Sequence, residues 1–346
     1  MLQKNKEWIK KVFYNLSILL SFTWAWLLVI IGARRRGKTY AVKKWLLTGW
    51  LYDGEQFLIL RDTDDECEII AKDGGERFWG DVLEDRKFKN KDIKIEMTKD
   101  SVYVNGELAG YVMPVSLFYK FKGSQYNKVK RILYDEFIRE KQVRYNGNRA
   151  WQFINTLFSI TSYRTDFKII LTANALDKGD TLLVDLFNIN INGFGIYKRR
   201  DKGVVLDYAR NSEEFEEYQK SGNMYNLVKG TRWEGNLVDN QFLNDNDSMF
   251  YDKKKPCDLF GIYYSSKDDT FVRVYESKDG DTFYAGKDTN ANTANYMRYT
   301  FDIKSVNNRV RLAGNDEKKK LQLLYSNNLI KFENSFILNV FKEIIK

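Results

Sequence analysis

The sequence predicts an α/β fold whose sheet carries a phosphate-binding loop, and three observations support it. One apolar run ends in a glycine- and lysine-containing turn, a second ends in two acids, and apolar strands alternate with amphipathic stretches over the first 200 residues. The first run, Trp26-Leu27-Leu28-Val29-Ile30, leads into Ile31-Gly32-Ala33-Arg34-Arg35-Arg36-Gly37-Lys38-Thr39 and meets Gly-x4-Gly-Lys-[Ser/Thr] at every fixed position. The glycines let backbone N–H groups wrap phosphate, Lys38 can reach the β and γ oxygens, and Thr39 offers a hydroxyl to Mg²⁺ at a helix N-terminus. A glycine turn with a surface lysine is the bland alternative. The strand before the motif and the helix after it, Tyr40 to Leu47, favour ATP and Mg²⁺ as ligands, with Gly32, Ala33, Arg34, Arg35, Arg36, Gly37, Lys38, Thr39 and Tyr40 as the binding residues.

Ahead of that strand, Lys4 to about Leu20 reads as an amphipathic helix packed on the core. The apolar stretch Val12–Ile31 gives up its last residues to the strand, and what is left is too short to span a membrane. After the loop helix come a buried strand, Gln56–Leu60, an acidic helical segment, Asp62–Glu84, and a hairpin about Asn105-Gly106. Lys130-Arg131-Ile132-Leu133-Tyr134-Asp135-Glu136-Phe137 is the second apolar run. Asp135 is placed to hold Mg²⁺ and Glu136 to take a proton from attacking water, a pairing typical of hydrolases. The insertion before this run leaves room for an extra strand between the first and third, the ASCE arrangement of P-loop ATPases such as the RecA and FtsK-HerA types.

A helix, Arg149–Ser159, and a strand, Phe167–Asn174, follow. Asn174-Ala175-Leu176-Asp177 has Ala where a GTPase has Lys, so Asn174 or Thr172 reads as a γ-phosphate sensor. Arg164, just before that strand, is the candidate arginine finger reaching a neighbour's nucleotide, with a salt-bridged surface arginine as the alternative. Residues 201–230 read as a helical linker, and 231–346 as a smaller α+β domain with short strands at Leu259–Ser265, Thr270–Glu276 and Thr282–Ala285 and a helical close from Glu317 to Lys346.

Composition narrows the chemistry. The 346 residues contain no histidine, which removes imidazole bases and His-based triads. Cys67 and Cys257 are the only cysteines, which supports neither a disulfide framework nor a zinc cluster and fits a reducing cytosol. A formal net charge of +9 points to a polyanionic partner.

The loop with Tyr40 after it, the stretch Asn105-Gly106-Glu107-Leu108-Ala109-Gly110-Tyr111-Val112-Met113-Pro114-Val115-Ser116, the run Tyr134-Asp135-Glu136-Phe137, and Arg164 followed by Asn174-Ala175 together resemble the DNA-packaging ATPases of phi29-like phages. That resemblance implies a homopentameric ring at the portal vertex of an empty procapsid in the host cytoplasm, pumping double-stranded DNA with ATP. It also implies a structural packaging RNA as partner and a trans-acting basic residue at Lys122. Three consecutive arginines depart from the small residues usual in the loop. Larger terminases carry an RNase H-like nuclease whose first acid follows Gly-apolar; here the strand reads Gly261-Ile262-Tyr263, so the second domain is expected to be a degenerate nuclease that grips phosphate through Lys253, Lys254 and Lys255. A membrane-associated phage assembly ATPase and an ATP-switched structural component of the procapsid are the alternatives.

Overall fold

The computed structural model describes residues 12–121, 126–138, 149–231, 234–237, 240, 242, 250–251, 254–289, 296–327 and 329–346. The chain forms two compact units, one of residues 1–176 and 185–243, the other of 177–184 and 244–346.

The first unit is built on β1 (Leu27–Ile31), α1 (Lys38–Asp53), β2 (Gln56–Arg61), α2 (Asp64–Ala71), α3 (Glu76–Leu83), β3 (Ile95–Met97), β4 (Ser101–Val104), β5 (Glu107–Pro114), β6 (Val129–Asp135), α4 (Arg149–Thr161), β7 (Lys168–Ala173), β8 (Gly195–Arg199), β9 (Val204–Tyr208), α5 (Glu213–Lys220) and α6 (Asn223–Val228). Its nine strands lie in the order β3-β4-β5-β2-β6-β7-β1-β9-β8. From β5 to β9 every neighbour is parallel, and β1 and β9 are buried at all five positions, as a sheet covered on both faces requires.

The ASCE arrangement holds, but its extra strand has a different source from the one expected. β7, which follows the acidic pair in sequence, sits between β6 and β1, whereas the inserted hairpin lies beyond β2 at the sheet edge. Asn105 and Gly106 turn that hairpin with φ of 53° and 82°, as a two-residue primed turn demands. Gly110 stands opposite Phe57, where a Cβ would come 2.6 Å from the Phe57 carbonyl oxygen.

Three further expectations are corrected. The long N-terminal helix does not extend to Leu20: from Phe13 to Leu16 the chain is irregular, with one helical turn at Ser17–Leu20, and residues 1–11 lie outside the described residues. The change of domain at 200 is displaced, because Lys198–Lys202 only turns β8 into β9, and β9 pairs with β1. Within the acidic helical segment, Asp73, Gly74 and Gly75 have positive φ and split α2 from α3. α2 is capped by Thr63, whose Oγ1 accepts from Glu66 N (3.3 Å), while the Glu66 carboxylate reaches back to accept from Asp62 N (3.1 Å), one residue before the cap.

The second unit holds β10 (Cys257–Ser265), β11 (Thr270–Ser277), β12 (Phe283–Lys287), β13 (Arg298–Thr300), β14 (Val310–Leu312), α7 (Asn315–Ser326), β15 (Ile330–Phe332) and α8 (Ser335–Ile344), in strand order β14-β13-β10-β11-β12-β15. β15 interrupts the helical stretch expected over 317–346. Antiparallel β10, β11 and β12, flanked by β13 and β14 parallel to β10, give the strand pattern of the RNase H-like reading. α8 buries Phe336, Ile337, Val340, Phe341 and Ile344 in this unit's core, and Asn334 caps it by accepting from Ile337 N at 3.0 Å.

Candidate nucleotide site

The site forms where parallel strands end. β1 runs into the loop Gly32–Gly37, and Gly37, at φ +77°, caps α1. The positive φ strains any side chain at this position, and a Cβ there would also lie 3.2 Å from the Phe13 ring, which would have to give way. Lys38 folds back into the loop: Nζ donates to Gly32 O (2.8 Å), Ala33 O (2.7 Å) and Asn174 Oδ1 (3.1 Å). Burial pushes its amine down to about 8.

One residue on, Thr39 Oγ1 donates to Asp135 Oδ1 at 2.7 Å, and Thr172 Oγ1 donates to the same oxygen. The second Asp135 oxygen accepts from Arg61 Nη1 at 2.8 Å, while Arg61 Nη2 reaches Glu136 Oε2, also at 2.8 Å. Arg61 thus bridges both acids from the end of β2, the strand beside β6. Burial opposes its charge, but Asp135, Glu136 and Glu66 outweigh this and raise its pKa. Glu136 takes φ +56° and leaves 60% of its side chain exposed, so it stands at the rim while Asp135 is buried. A cavity of about 730 Å³ opens here, lined by residues that include Phe13, Arg34–Tyr40, Glu136 and Asn174.

Lys38, Thr39, Asp135, Glu136 and Asn174 are therefore brought together, with Gly32, Ala33 and Gly37 forming the loop. Arg34 and Arg35 are exposed and Arg36 is half-buried. Tyr40 lines the cavity and its hydroxyl bonds Asp85, which also accepts from Lys44 Nζ at 2.6 Å.

Arg164 is not at this site. It lies at the opposite edge of the sheet, before β7 begins, where Nη1 donates to Tyr126 O (2.9 Å), Nη2 to Val129 O (2.8 Å) and Nε to Asp166 Oδ1 (2.8 Å). A cavity of about 1030 Å³ opens at that edge, with Arg164, Trp26, Phe158 and Lys168 among its lining. Lys122 lies outside the described residues, as does Lys253.

Sequence reasoning missed Arg61, Tyr14 and Asp207. The signal for Arg61 was available, since a charged residue closes an otherwise apolar strand. Its pairing was not, because it depends on β2 lying beside β6. Tyr14 and Asp207 meet across 193 residues, at 2.8 Å from hydroxyl to carboxylate.

In the second unit, Tyr263 occupies the β10 position where a nuclease would carry its first acid. It stacks on Phe301 with ring centroids 5.9 Å apart and donates to Glu317 Oε1 at 2.6 Å. Among the described residues, no group of three or more Asp, Glu, Cys or His side chains could hold a metal ion there. Lys255 pairs with Asp279 at 2.8 Å and Lys254 lies 4.1 Å from the centre of the Tyr275 ring, so both already have partners within the unit.

The podovirus DNA encapsidation protein (Gp16) family profile matches residues 9–346. The chain belongs to that family. This encapsidation protein is 25% identical over 346 residues to the DNA packaging protein of Bacillus phage phi29, covering 97% of this chain and 98% of that one. It is also 25% identical over 325 residues to the DNA packaging protein of Bacillus phage B103, covering 92% and 95%. Among solved structures it is similar to the bacteriophage phi29 viral genome packaging motor assembly, with a TM-score of 0.69 and 21% identity over 96% of this chain and 99% of that one. The phi28 gp11 DNA packaging motor gives a TM-score of 0.64 and 18% identity over 97% and 99%. Both show the fold. The resemblance read from the motifs is borne out, and no helix among the described residues of the encapsidation protein is long and apolar enough to cross a membrane.

Proposed function

We propose that this chain hydrolyses ATP and uses the energy to move double-stranded viral DNA into an empty procapsid, as one subunit of a ring with nucleotide at the subunit interfaces. The observation that supports it best is the Thr39–Asp135 contact at 2.7 Å with Glu136 next in sequence and tied to Arg61.

The residues fit a Mg²⁺-nucleotide. Lys38 is a buried ammonium whose hydrogen-bond partners are three neutral oxygens, so an anion completes its surroundings. Thr39 and Asp135 would hold Mg²⁺, directly or through its water, and the ion would neutralise phosphate charge. Gly32 to Gly37 would wrap the phosphates with backbone N–H groups, and Lys38 and Asn174 would face the terminal phosphate. Glu136 would orient water and take its proton. Arg61 holds that carboxylate in place through a charged hydrogen bond, so taking the proton would require Arg61 to exchange partners.

The ring, its pentameric count, the portal and the structural RNA rest on the family resemblance. Arg164 is kept as the arginine finger for a neighbouring subunit; its bonds to Tyr126, Val129 and Asp166 are those it must give up on assembly. The second unit would contact nucleic acid or procapsid without cutting DNA.

The test is packaging of linear duplex DNA into purified procapsids, scored by protection from nuclease. The proposal expects protected genome-length DNA with ATP and none with Glu136→Gln. Equal protection by that variant would refute it.

A further inference from the structure

Three consecutive residues ahead of β1 each touch the phosphate-binding loop. Val12 packs with Ala33 and with Phe215 of α5, the Phe13 ring lies against Gly37, and Tyr14 N donates to Arg36 O at 2.8 Å. From the other side, β9 runs beside β1 with Asp207 opposite Ile30, and Ala209 N donates to Ile31 O at 2.8 Å. The loop is therefore held between the segment before its own strand and the end of β9. These two supports meet each other, because Tyr14 Oη donates to Asp207 Oδ2 at 2.8 Å in the interior.

Arg36 is the loop residue that responds to this pair. Its Nε and Nη1 are shut from solvent with no hydrogen-bond partner among the described residues, and the residue also lines the phosphate cavity. Burial lowers its pKa, and Asp207 is the main group working the other way. Burial likewise raises the Asp207 carboxyl, against which the Tyr14 hydroxyl and the Arg36 charge act. A guanidinium in such surroundings keeps its place only while a fixed anion compensates it. Tyr14 fixes that anion by occupying one carboxylate oxygen.

We propose that Tyr14 and Asp207 are positioning residues for the phosphate-binding loop, acting through Arg36. Arg36 would then be the half-buried arginine of the three, its charge compensated by Asp207, while Arg34 and Arg35 stand at the exposed rim. The proposal rests on the nucleotide reading of the cavity, and its test separates the two.

The test is equilibrium binding of N-methylanthraniloyl-ADP with Mg²⁺ to the full-length chain, with melting temperature measured in parallel, for Asp207→Asn, Tyr14→Phe, Arg36→Met and the double variant Arg36→Met/Asp207→Asn. Removing a fixed anion near a phosphate site should tighten binding if field strength were all that mattered. Positioning predicts the opposite sign: Asp207→Asn weakens binding on the order of tenfold and Tyr14→Phe about threefold. With Arg36→Met already present, Asp207→Asn should weaken binding no further, because the path through Arg36 is gone. Tyr14→Phe removes a single hydroxyl and carries the test if Asp207→Asn does not fold. Binding by Asp207→Asn or Tyr14→Phe as tight as in the wild type, or equal weakening by Asp207→Asn in both backgrounds, would overturn the proposal. Absence of binding by the wild type would instead sink the nucleotide reading beneath it.

Discussion

The two sheets of this protein treat polar side chains in opposite ways. In the first unit β1, β2, β6 and β7 run parallel, so their C-terminal ends share one edge, and that edge collects Lys38, Thr39, Arg61, Asp135, Glu136, Thr172 and Asn174. In the second unit β10, β11 and β12 alternate in direction, which distributes polar ends over both edges, where they are used in turns: Ser265 with Asp268, Tyr264 with Asp269, Lys255 with Asp279. The position in β10 that could carry chemistry holds Tyr263, stacked and hydrogen-bonded. Strand direction thus decides where charge can be concentrated, and side-chain choice decides whether that place is used.

This contrast can be broken most forcefully in the second sheet. Tyr263→Asp would put a carboxylate against Glu317 and leave a cavity beside Phe301; it is expected to cost about 4 kcal/mol of that unit's stability and to create no metal-dependent nuclease. Denaturant unfolding and a nuclease assay with Mn²⁺ check both parts, and DNA cutting by the variant would show that the sheet retains a usable site. In the first sheet, Arg61→Met strands the buried Asp135 carboxylate without its guanidinium. A loss of about 3 kcal/mol in unfolding free energy is expected, and restored stability with added Mg²⁺ would sharpen the assignment of Asp135.

Arg164 distinguishes the two edges of the first sheet. Its three hydrogen bonds tie the start of β6 to the turn before β7, so Arg164→Ala is expected to destabilise isolated subunits by about 2 kcal/mol, while ADP affinity in those subunits stays the same. An unchanged melting temperature would contradict that local role. The smallest expected effect is electrostatic. Burial holds Lys38 at about 8, so the free protein loses this proton as pH rises through that value. Phosphate requires the ammonium form, and nucleotide affinity should fall by up to about tenfold per pH unit above 8. Lys38→Met should flatten the profile; an identical slope in the variant would place the titration elsewhere.

Much of the first sheet was legible because its strands are short apolar runs with diagnostic ends. The loop, the acidic pair and the hairpin turn all carry local signals, and the structure places Lys38, Thr39, Asp135, Glu136 and Asn174 within one constellation. What could not be read was adjacency. β9 looks like linker until it is found beside β1, because Val204-Val205-Leu206-Asp207-Tyr208 follows a run of charges that suggests a boundary. Arg61 and the Tyr14–Asp207 pair escaped for the same reason, since each is defined by a partner far along the chain. The expected helix does not run unbroken to Leu20 because Tyr14 and Leu16 are apolar for a different purpose: they are buried in an irregular segment, and helical spacing alone does not reveal the distinction.

The most direct measurement is steady-state ATP hydrolysis by the purified protein with and without linear duplex DNA, beside Glu136→Gln. Hydrolysis that rises with DNA and falls by at least about 100-fold in the variant, with nucleotide binding retained, is the predicted result. Turnover in Glu136→Gln equal to that of the wild type would contradict the assignment of this edge of the sheet as the motor's hydrolytic centre.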